Sequence, residues 1–255
     1  MFVDTHTHLY SEEFTAEIDV VLKKAIDAGV EKFFLPNIDS SSIDAMHALS
    51  EKYPQHCFPM MGLHPCSVKE DYKEELAIAY NYLQTKKYVA IGEIGIDLYW
   101  DKTFYTQQVE AFEQQINWAL EFNLPIVIHC RNSFDEIYEV LCGFKKLPRG
   151  IFHCFSGNAE QAQKIIDKTN FKLGIGGVIT FKNSGLDKAI ENIDLKHLVL
   201  ETDSPYLAPV PYRGKRNESA YIPLIAAKIA DVKKCSLLEV ATLTTANAKE
   251  IFGWV

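Results

Sequence analysis

The sequence contains no long hydrophobic run, and no stretch approaches the roughly 20 apolar residues that a membrane-spanning helix needs. Its first residues also lack the apolar core of a secretory signal, because Asp4, His6, His8, Glu12 and Glu13 interrupt them. We therefore expect no membrane partner and a cytoplasmic location.

Cysteine-based and dinucleotide-binding signatures are missing as well. The six cysteines are irregularly spaced and form no C-x-x-C pair, which argues against a zinc ribbon or a disulfide framework. No G-x-G-x-x-G follows the first predicted strand, which disfavours a doubly wound dinucleotide-binding sheet. The chain also has no low-complexity linker and no solenoid repeat.

Positive charge is scarce. The sequence has 26 Lys and Arg residues against 34 Asp and Glu residues, a formal net charge of −8. This balance disfavours a protein that coats long nucleic acid. It remains compatible with an enzyme that binds one or two phosphates in a local pocket, provided that a metal ion and a few placed cations supply the positive charge.

Apolar segments, by contrast, are abundant and regular. Hydrophobic residues make up 47% of the 255 positions, so we expect one large domain over residues 1–255. Near-continuous apolar strands alternate eight times with amphipathic helix patterns, which is typical of a parallel sheet buried on both faces. Eight such units in about 200 residues close most simply as an α/β fold, the (β/α)8 TIM barrel. A doubly wound open sheet is the competing architecture.

Polar side chains recur where the predicted strands end. The first strand is predicted to end at His6 and His8, which share a face because residues two apart do so in a strand. The fourth strand is predicted over 88–93 and the eighth over 197–203. In a barrel the carboxyl ends of all strands open onto one mouth. The residues expected to converge there are His6, His8, Glu93, His129, His153 and Asp203.

A simpler interpretation exists for each of these residues. A lone histidine at a strand end is more often a hydrogen-bonded core residue, and Glu93 could cap a turn. That interpretation needs the same coincidence at the end of five elements. Such groups, buried without partners, would each cost several kcal/mol, whereas metal coordination removes that cost. The pattern therefore favours a metal centre.

Motifs around these residues resemble one protein family, and they occur along the whole chain. They are Asp4-Thr5-His6-Thr7-His8, Gly62-Leu63-His64-Pro65, Gly92-Glu93-Ile94-Gly95-Ile96-Asp97, His129-Cys130-Arg131, His153-Cys154-Phe155-Ser156-Gly157 and Glu201-Thr202-Asp203-Ser204-Pro205-Tyr206-Leu207. In this order they resemble the TatD family of metal-dependent deoxyribonucleases, within the amidohydrolase superfamily.

The resemblance implies a site for two divalent ions. It would place His6, His8 and Asp203 around one ion, His129 and His153 around the other, and Glu93 between them. Two positions depart from the family pattern. Cys66 stands where a second histidine commonly follows His-Pro, and Ser219 stands where proline usually follows Asn-Glu. The first departure lies near the predicted mouth and bears on substrate preference.

The charge of such a site suits a phosphodiester. Two divalent ions carry about +4, and Glu93, Asp203 and a bridging hydroxide return about −3. Mixed imidazole and carboxylate ligands suit Zn or Mn better than Mg, although the resemblance also admits Mg. We expect the bridging hydroxide to attack phosphorus, with Asp203 as general base. Strand alternation places Glu201 on the same face, deeper in the barrel, where a role in stability is expected.

Substrate contacts are expected around the ions. The candidate phosphate-binding residues are His64, Arg131, Ser156, Gly157 and the Arg213-Gly214-Lys215-Arg216 segment, in particular Arg213 and Arg216. Asp97 is expected to order a loop by hydrogen bonding. Several aromatic side chains could stack on a base or simply pack: Tyr10, Tyr99, Trp100, Phe155 and Tyr206.

Three functions are compatible with this pattern. The leading one is hydrolysis of DNA phosphodiester bonds, from the 3′ end of single-stranded DNA as the resemblance suggests, with no obligatory protein partner. The second keeps the metal site but hydrolyses an ester or amide, as in a D-aminoacyl-tRNA deacylase. The third is a non-catalytic binding module. It fits poorly, because a structural zinc site needs only four closed ligands.

Overall fold

The computed structural model describes residues 1–169 and 171–253, in which strands alternate with helices. The strands are β1 (Phe2–Asp4), β2 (Val30–Leu35), β3 (Cys57–Pro59), β4 (Ile91–Asp97), β5 (Ile126–Arg131), β6 (Gly150–Phe152), β7 (Lys172–Ile175) and β8 (Leu198–Leu200). The helices are α1 (Glu12–Thr15), α2 (Ile18–Asp27), α3 (Ile43–Lys52), α4 (Tyr72–Thr85), α5 (Tyr105–Phe122), α6 (Phe134–Gly143), α7 (Ala159–Thr169), α8 (Leu186–Ile190), α9 (Ile222–Lys233) and α10 (Leu237–Phe252). Within the described ranges no helix is both long and apolar enough to span a bilayer.

The strands pair in parallel and in chain order. One ladder contains β1 to β3 and the other contains β4 to β8. An isolated bridge between Met61 and Ile91 joins the β3 side to β4. Where β8 meets β1, the backbone N–H of Thr5 donates to the carbonyl of Leu200 at 3.0 Å. This succession of eight parallel strands and intervening helices is that of the (β/α)8 TIM barrel, which confirms the predicted fold class.

Neighbouring strand residues belong to two apolar layers. Phe33 of β2 packs in the large cluster shared with the helices, whereas Phe34 joins inward side chains from other strands. Phe252 of α10 stacks on Phe34 with ring centroids 3.9 Å apart. The Asn247 amide, also on α10, donates to the carbonyl of Leu198 at the start of β8. Helix α10 thus packs at the end of the barrel where the strands begin, which leaves their carboxyl ends for the polar residues.

Strand β4 lies further along the chain than its apolar pattern predicts. The strand was predicted over 88–93 but extends over Ile91–Asp97. Both predicted ends are therefore wrong, and Glu93 lies inside the strand. The ladder with β5 continues past it and pairs Gly95 with His129 and Asp97 with Arg131. The strand can continue to a buried aspartate because the Asp97 carboxylate accepts hydrogen bonds there.

The predicted ends of the first and last strands are also wrong. Strand β1 ends at Asp4 and β8 ends at Leu200, before the histidines and Asp203. Asp203 has a φ of 56°, in the left-handed region, so strand alternation does not relate it to Glu201. Glu201 instead accepts a hydrogen bond from the backbone N–H of Cys154, at 2.5 Å, beyond the end of β6.

Candidate metal centre

The carboxylate of Glu93 lies at the centre of four imidazoles. Its Oε2 is 3.0 Å from His6 Nε2 and 3.8 Å from His8 Nε2. Its Oε1 is 2.7 Å from His129 Nδ1 and 3.5 Å from His153 Nε2. Glu93 is buried, and of these four predicted ligands each of its oxygens faces a different pair, while His64 Nε2 also lies 3.4 Å from Oε1.

Asp203 completes the cluster from the end of the barrel beyond β8. Its Oδ1 lies 3.5 Å from His8 Nε2 and 3.8 Å from His6 Nε2. The backbone N–H of Asp203 donates to the carbonyl of His6 at 2.9 Å, which fixes the two segments against each other. The structure thus brings together all six residues that the sequence predicts as metal ligands.

A buried carboxylate holds the β1 and β8 segments in this arrangement. Asp4 Oδ1 accepts from the backbone N–H of Thr202 at 2.9 Å, and Oδ2 accepts from the hydroxyls of Thr202 at 2.5 Å and Ser219 at 2.6 Å. Burial raises the pKa of Asp4 to about 7, against the opposing effect of these hydrogen bonds. Ser219, a departure from the family pattern, is therefore part of the support of the site.

Two further carboxylates lie behind the histidines of β5 and β6. Asp97 Oδ2 is 2.8 Å from His129 Nε2, and Glu201 Oε1 is 3.0 Å from His153 Nδ1. Gly174 of β7 provides the space for Glu201, since a Cβ there would lie 2.1 Å from Glu201 Oε2. Each imidazole thus has one nitrogen towards Glu93 and the other towards its own carboxylate.

The charges of the cluster depend on one another. Burial opposes the charged form of Glu93, but the neighbouring His153 and His6 outweigh it and hold its pKa well below the usual range. Burial also opposes protonation of His153, yet Glu201 and Glu93 raise its pKa to about 10. For His6, burial prevails and lowers the pKa. The cluster therefore combines carboxylates kept ionised with an imidazole, His6, kept neutral.

The donor set fits divalent metal ions. His6 is fully buried, and neither of its ring nitrogens has a hydrogen-bond partner, although Nε2 lies close to Glu93. Two lone-pair donors that face each other at this distance are expected where both bind one cation. Four groups of potential ligands share His6, Glu93 or His153: His6, His8 and Asp203; His6, Glu93 and His153; His64, Glu93 and His129; His153, Cys154 and Glu201. Imidazole nitrogen with carboxylate oxygen suits Zn or Mn, and less well Mg.

A pocket of about 660 Å³ opens onto this cluster. His64, Arg131 and Ser156, three of the predicted substrate contacts, line it together with five of the six predicted metal ligands, all except His6. The predicted contact Gly157 lies beside it, in an adjoining groove of about 370 Å³ that shares His153. His64 Nε2 is 3.4 Å from Glu93 Oε1, close enough to act with the metal ligands.

Two other predicted contacts lie elsewhere. Among the described residues that line the pocket, Arg213 and Arg216 are absent. The guanidinium of Arg213 lies 4.4 Å from the ring centroid of Phe181. Arg216 is 2.7 Å from Glu17 and 2.9 Å from Glu218, so nearby carboxylates already pair with its charge. Neither the carboxylates beside Arg216 nor the Phe181 ring beside Arg213 could be read from the basic segment alone.

Known proteins are similar to this chain over nearly its whole length. The model of the TatD-related DNase family matches residues 3–253. The chain belongs to this family. Its relatives include the uncharacterized metal-dependent hydrolase YabD of Bacillus subtilis, 38% identical with 99% of each chain covered. The 3′-5′ ssDNA/RNA exonuclease TatD of Pantoea ananatis is 30% identical, again with 99% of each chain covered.

A solved structure of the TatD-related family is similar over the whole chain. The TatD homologue YjjV of Escherichia coli K12 has a TM-score of 0.90 at 28% identity, and the match covers 100% of this chain and 98% of that one. The resemblance inferred from the motifs is thereby confirmed. This chain is a TatD-family metal-dependent hydrolase, in agreement with the predicted enzyme class.

Asp97 and Glu201 have histidine contacts that their sequence context does not predict. Asp97 does order a loop, since its Oδ1 accepts from the backbone of Tyr99, but its other oxygen contacts His129. For Glu201 only stability was expected, whereas it contacts His153. Both carboxylates lie within the motifs that also contain predicted metal ligands. An acidic residue in such a motif is therefore the signal that could have indicated a histidine contact.

Proposed function

We propose that this TatD-family hydrolase cleaves phosphodiester bonds of single-stranded DNA, one nucleotide at a time from the 3′ end. The convergence of four imidazoles and two carboxylates on one pocket carries this proposal. The Pantoea relative, which is named a 3′-5′ ssDNA/RNA exonuclease, supports the substrate class.

Within this proposal two divalent ions would be held on either side of Glu93. His6, His8 and Asp203 would hold one ion, and His129 and His153 the other. Bound ions of this kind supply positive charge for a phosphoryl group and lower the pKa of a water molecule towards about 7. The pairing of each Glu93 oxygen with a different pair of histidines supports the bridging role.

Asp203 is the residue that we assign as general base. Burial disfavours its ionised form, but the charge of His153 and the hydrogen bond from His8 outweigh this and lower its pKa. The carboxylate is therefore ionised at neutral pH and can accept a proton. Its Oδ1 faces His6 and His8, which follow β1, and its Oδ2 would take the proton from the attacking water. With 15% of its side chain exposed, it also borders the pocket from which substrate enters.

Three residues of the pocket would orient the substrate. Arg131 is exposed and would neutralise a phosphate, while His64 and the Ser156 hydroxyl would hydrogen-bond its oxygens. Gly157 would provide space in the adjoining groove. Arg213 and Arg216 lie outside the pocket, so under this proposal they would contact only a more distant part of the strand.

The test is a substrate and metal panel. Purified protein is loaded with Zn²⁺, Mn²⁺ or Mg²⁺ and assayed on single-stranded DNA, duplex DNA, RNA and a D-aminoacyl ester. We expect stepwise shortening of 5′-labelled single-stranded DNA, fastest with one of these ions and lost with Asp203→Asn. Cleavage of the aminoacyl ester without cleavage of any oligonucleotide would replace the nuclease proposal by the deacylase alternative.

A further inference from the structure

Two large aromatic side chains remain exposed on the loop that follows β4. Trp100 is 69% exposed and Tyr99 is 51% exposed, although such side chains usually bury much of their surface. Trp100 also lines the pocket that opens onto the metal cluster. An exposed aromatic surface beside an active-site pocket is a feature of ligand-binding sites.

The loop is held in place by the carboxylate of Asp97. Its Oδ1 accepts hydrogen bonds from the backbone N–H groups of Tyr99, at 2.9 Å, and Trp100, at 3.2 Å. Further along, Asp101 Oδ1 accepts from the backbone N–H of Thr103 at 2.9 Å. The indole is thus presented by an ordered turn, so little conformational entropy is lost when a ligand contacts it.

A cation lies against the same aromatic pair. The guanidinium carbon of Arg131 is 4.0 Å from the ring centroid of Tyr99 and 5.3 Å from that of Trp100. The two rings meet edge to face with centroids 4.8 Å apart. Arg131 thus lies against the aromatic loop and also lines the pocket.

The geometry points to a nucleobase-stacking platform formed by Trp100, Tyr99 and Arg131. A base of a single strand stacks on the Trp100 indole, and a neighbouring phosphate contacts Arg131. This assignment rests on the proposed nuclease function and adds to it the group that positions the strand. Indole plus guanidinium matches the alternation of base and phosphate along a single strand, and a duplex cannot offer an unstacked base to it.

The platform is joined to the metal centre through one residue. Asp97 holds the aromatic loop with Oδ1, and its Oδ2 lies 2.8 Å from His129 Nε2. The Asp97 carboxylate therefore links the position of a base stacked on Trp100 to the position of His129, a predicted metal ligand. Trp100 acts as a positioning residue, and its loss should raise KM for oligonucleotides more than it lowers kcat.

The first experiment measures binding without turnover. The metal-loaded protein is titrated with a phosphorothioate oligothymidylate that resists cleavage, and tryptophan fluorescence is recorded. We expect saturable quenching in the wild type that is largely absent in Trp100→Phe, because the exposed indole is the one that stacks. Equal quenching in Trp100→Phe would overturn the platform.

The second experiment combines Trp100→Ala with oligonucleotides that carry one abasic site. For intact single-stranded DNA we expect Trp100→Ala to raise KM about 5- to 150-fold, which corresponds to the loss of one base–aromatic stack. For the wild type, an abasic site at one position should produce a similar rise, and Trp100→Ala should be insensitive to it. Leu238→Ala, which removes another exposed apolar side chain (75% exposed) on α10, is the matched control.

The outcomes separate this inference from the nuclease proposal. Cleavage of single-stranded DNA with the same KM in Trp100→Ala and wild type would remove the platform and leave the nuclease intact. Saturable quenching at Trp100 without cleavage of any oligonucleotide would keep the platform and remove the nuclease activity. Unchanged metal content in Trp100→Ala serves as the check that the centre is intact.

Discussion

The histidines on the two sides of Glu93 are supported differently. His129 and His153 each have a carboxylate on the nitrogen that faces away from the cluster, Asp97 at 2.8 Å and Glu201 at 3.0 Å. A carboxylate in this position fixes the ring and raises the basicity of the imidazole. We call these four residues the carboxylate-backed half of the centre.

The other half consists of His6, His8, Asp203 and Tyr10. His8 Nδ1 lies 2.9 Å from the Tyr10 hydroxyl, which in turn donates to the Pro36 carbonyl at 2.5 Å. His6 Nδ1 is buried without a hydrogen-bond partner and, unlike His153 Nδ1, has no carboxylate of the described residues within 4.0 Å. Asp203 is the anionic member of this half, and it is itself one of the proposed metal ligands. We call it the Asp203 half.

This difference suggests that the two halves have separate roles, one mainly in metal binding and the other in proton transfer. The carboxylates of Asp97 and Glu201 should fix the imidazole rings of the carboxylate-backed half and make them more basic. We therefore expect this half to bind a metal ion more tightly than the Asp203 half does. In the Asp203 half, the partner of His8 is the neutral hydroxyl of Tyr10. We therefore expect Asp203 to be the carboxylate that exchanges a proton with water. The following predictions test whether binding and proton transfer divide in this way.

The largest effect is expected for the residue that the halves share. Glu93→Ala removes the carboxylate that each pair of histidines faces, so both halves should lose affinity and hydrolysis should fall to background. The measurement is metal content after dialysis together with the rate on single-stranded DNA. A variant that keeps both its metal and its rate would show that the halves do not depend on Glu93.

Asp203→Asn should come next. The amide keeps one oxygen for a metal ion but cannot accept the proton, so kcat should fall by about 10²- to 10⁴-fold while most metal is retained. Steady-state kinetics and metal content of the same preparation provide the test. Near wild-type kcat with full metal would mean that the base lies elsewhere, and His64, 3.4 Å from Glu93, would be the next candidate.

Glu201→Gln should act on metal affinity rather than on proton transfer. Loss of the carboxylate behind His153 should weaken binding in the carboxylate-backed half by about 10- to 100-fold, with kcat largely recovered at saturating metal. Competition with a chromophoric chelator measures this change.

Tyr10→Phe is the matched control for the Asp203 half. It removes a neutral hydrogen-bond partner from His8, a change that typically costs about 0.5–1.5 kcal/mol. Metal affinity should therefore fall by about tenfold or less. If Tyr10→Phe weakened binding more than Glu201→Gln, the comparison between the halves would be wrong.

The sequence allows the fold and the convergence of the six candidate ligands to be predicted for one physical reason. The carboxyl ends of parallel strands meet at one mouth, so residues such as His129 and His153 converge even if strand boundaries are displaced. The errors in the bounds of β4 and β8 did not affect this outcome, since the carboxylates of Glu93 and Asp203 both lie within 4 Å of His6 Nε2.

Support and substrate contacts depend on pairs that are distant in the sequence. Arg216 resembles a free phosphate contact until the fold brings Glu17 beside it. The carboxylate of Glu201 reaches His153 only because Gly174 leaves space. The exposure of Trp100 likewise depends on a loop conformation, which no local pattern specifies.

The most direct test of the two-halved centre is the metal content of the wild-type protein purified without chelator. Elemental analysis of protein of known concentration should give close to two divalent ions per chain, one for each half. A content of one ion or fewer, with full hydrolytic activity, would contradict the account.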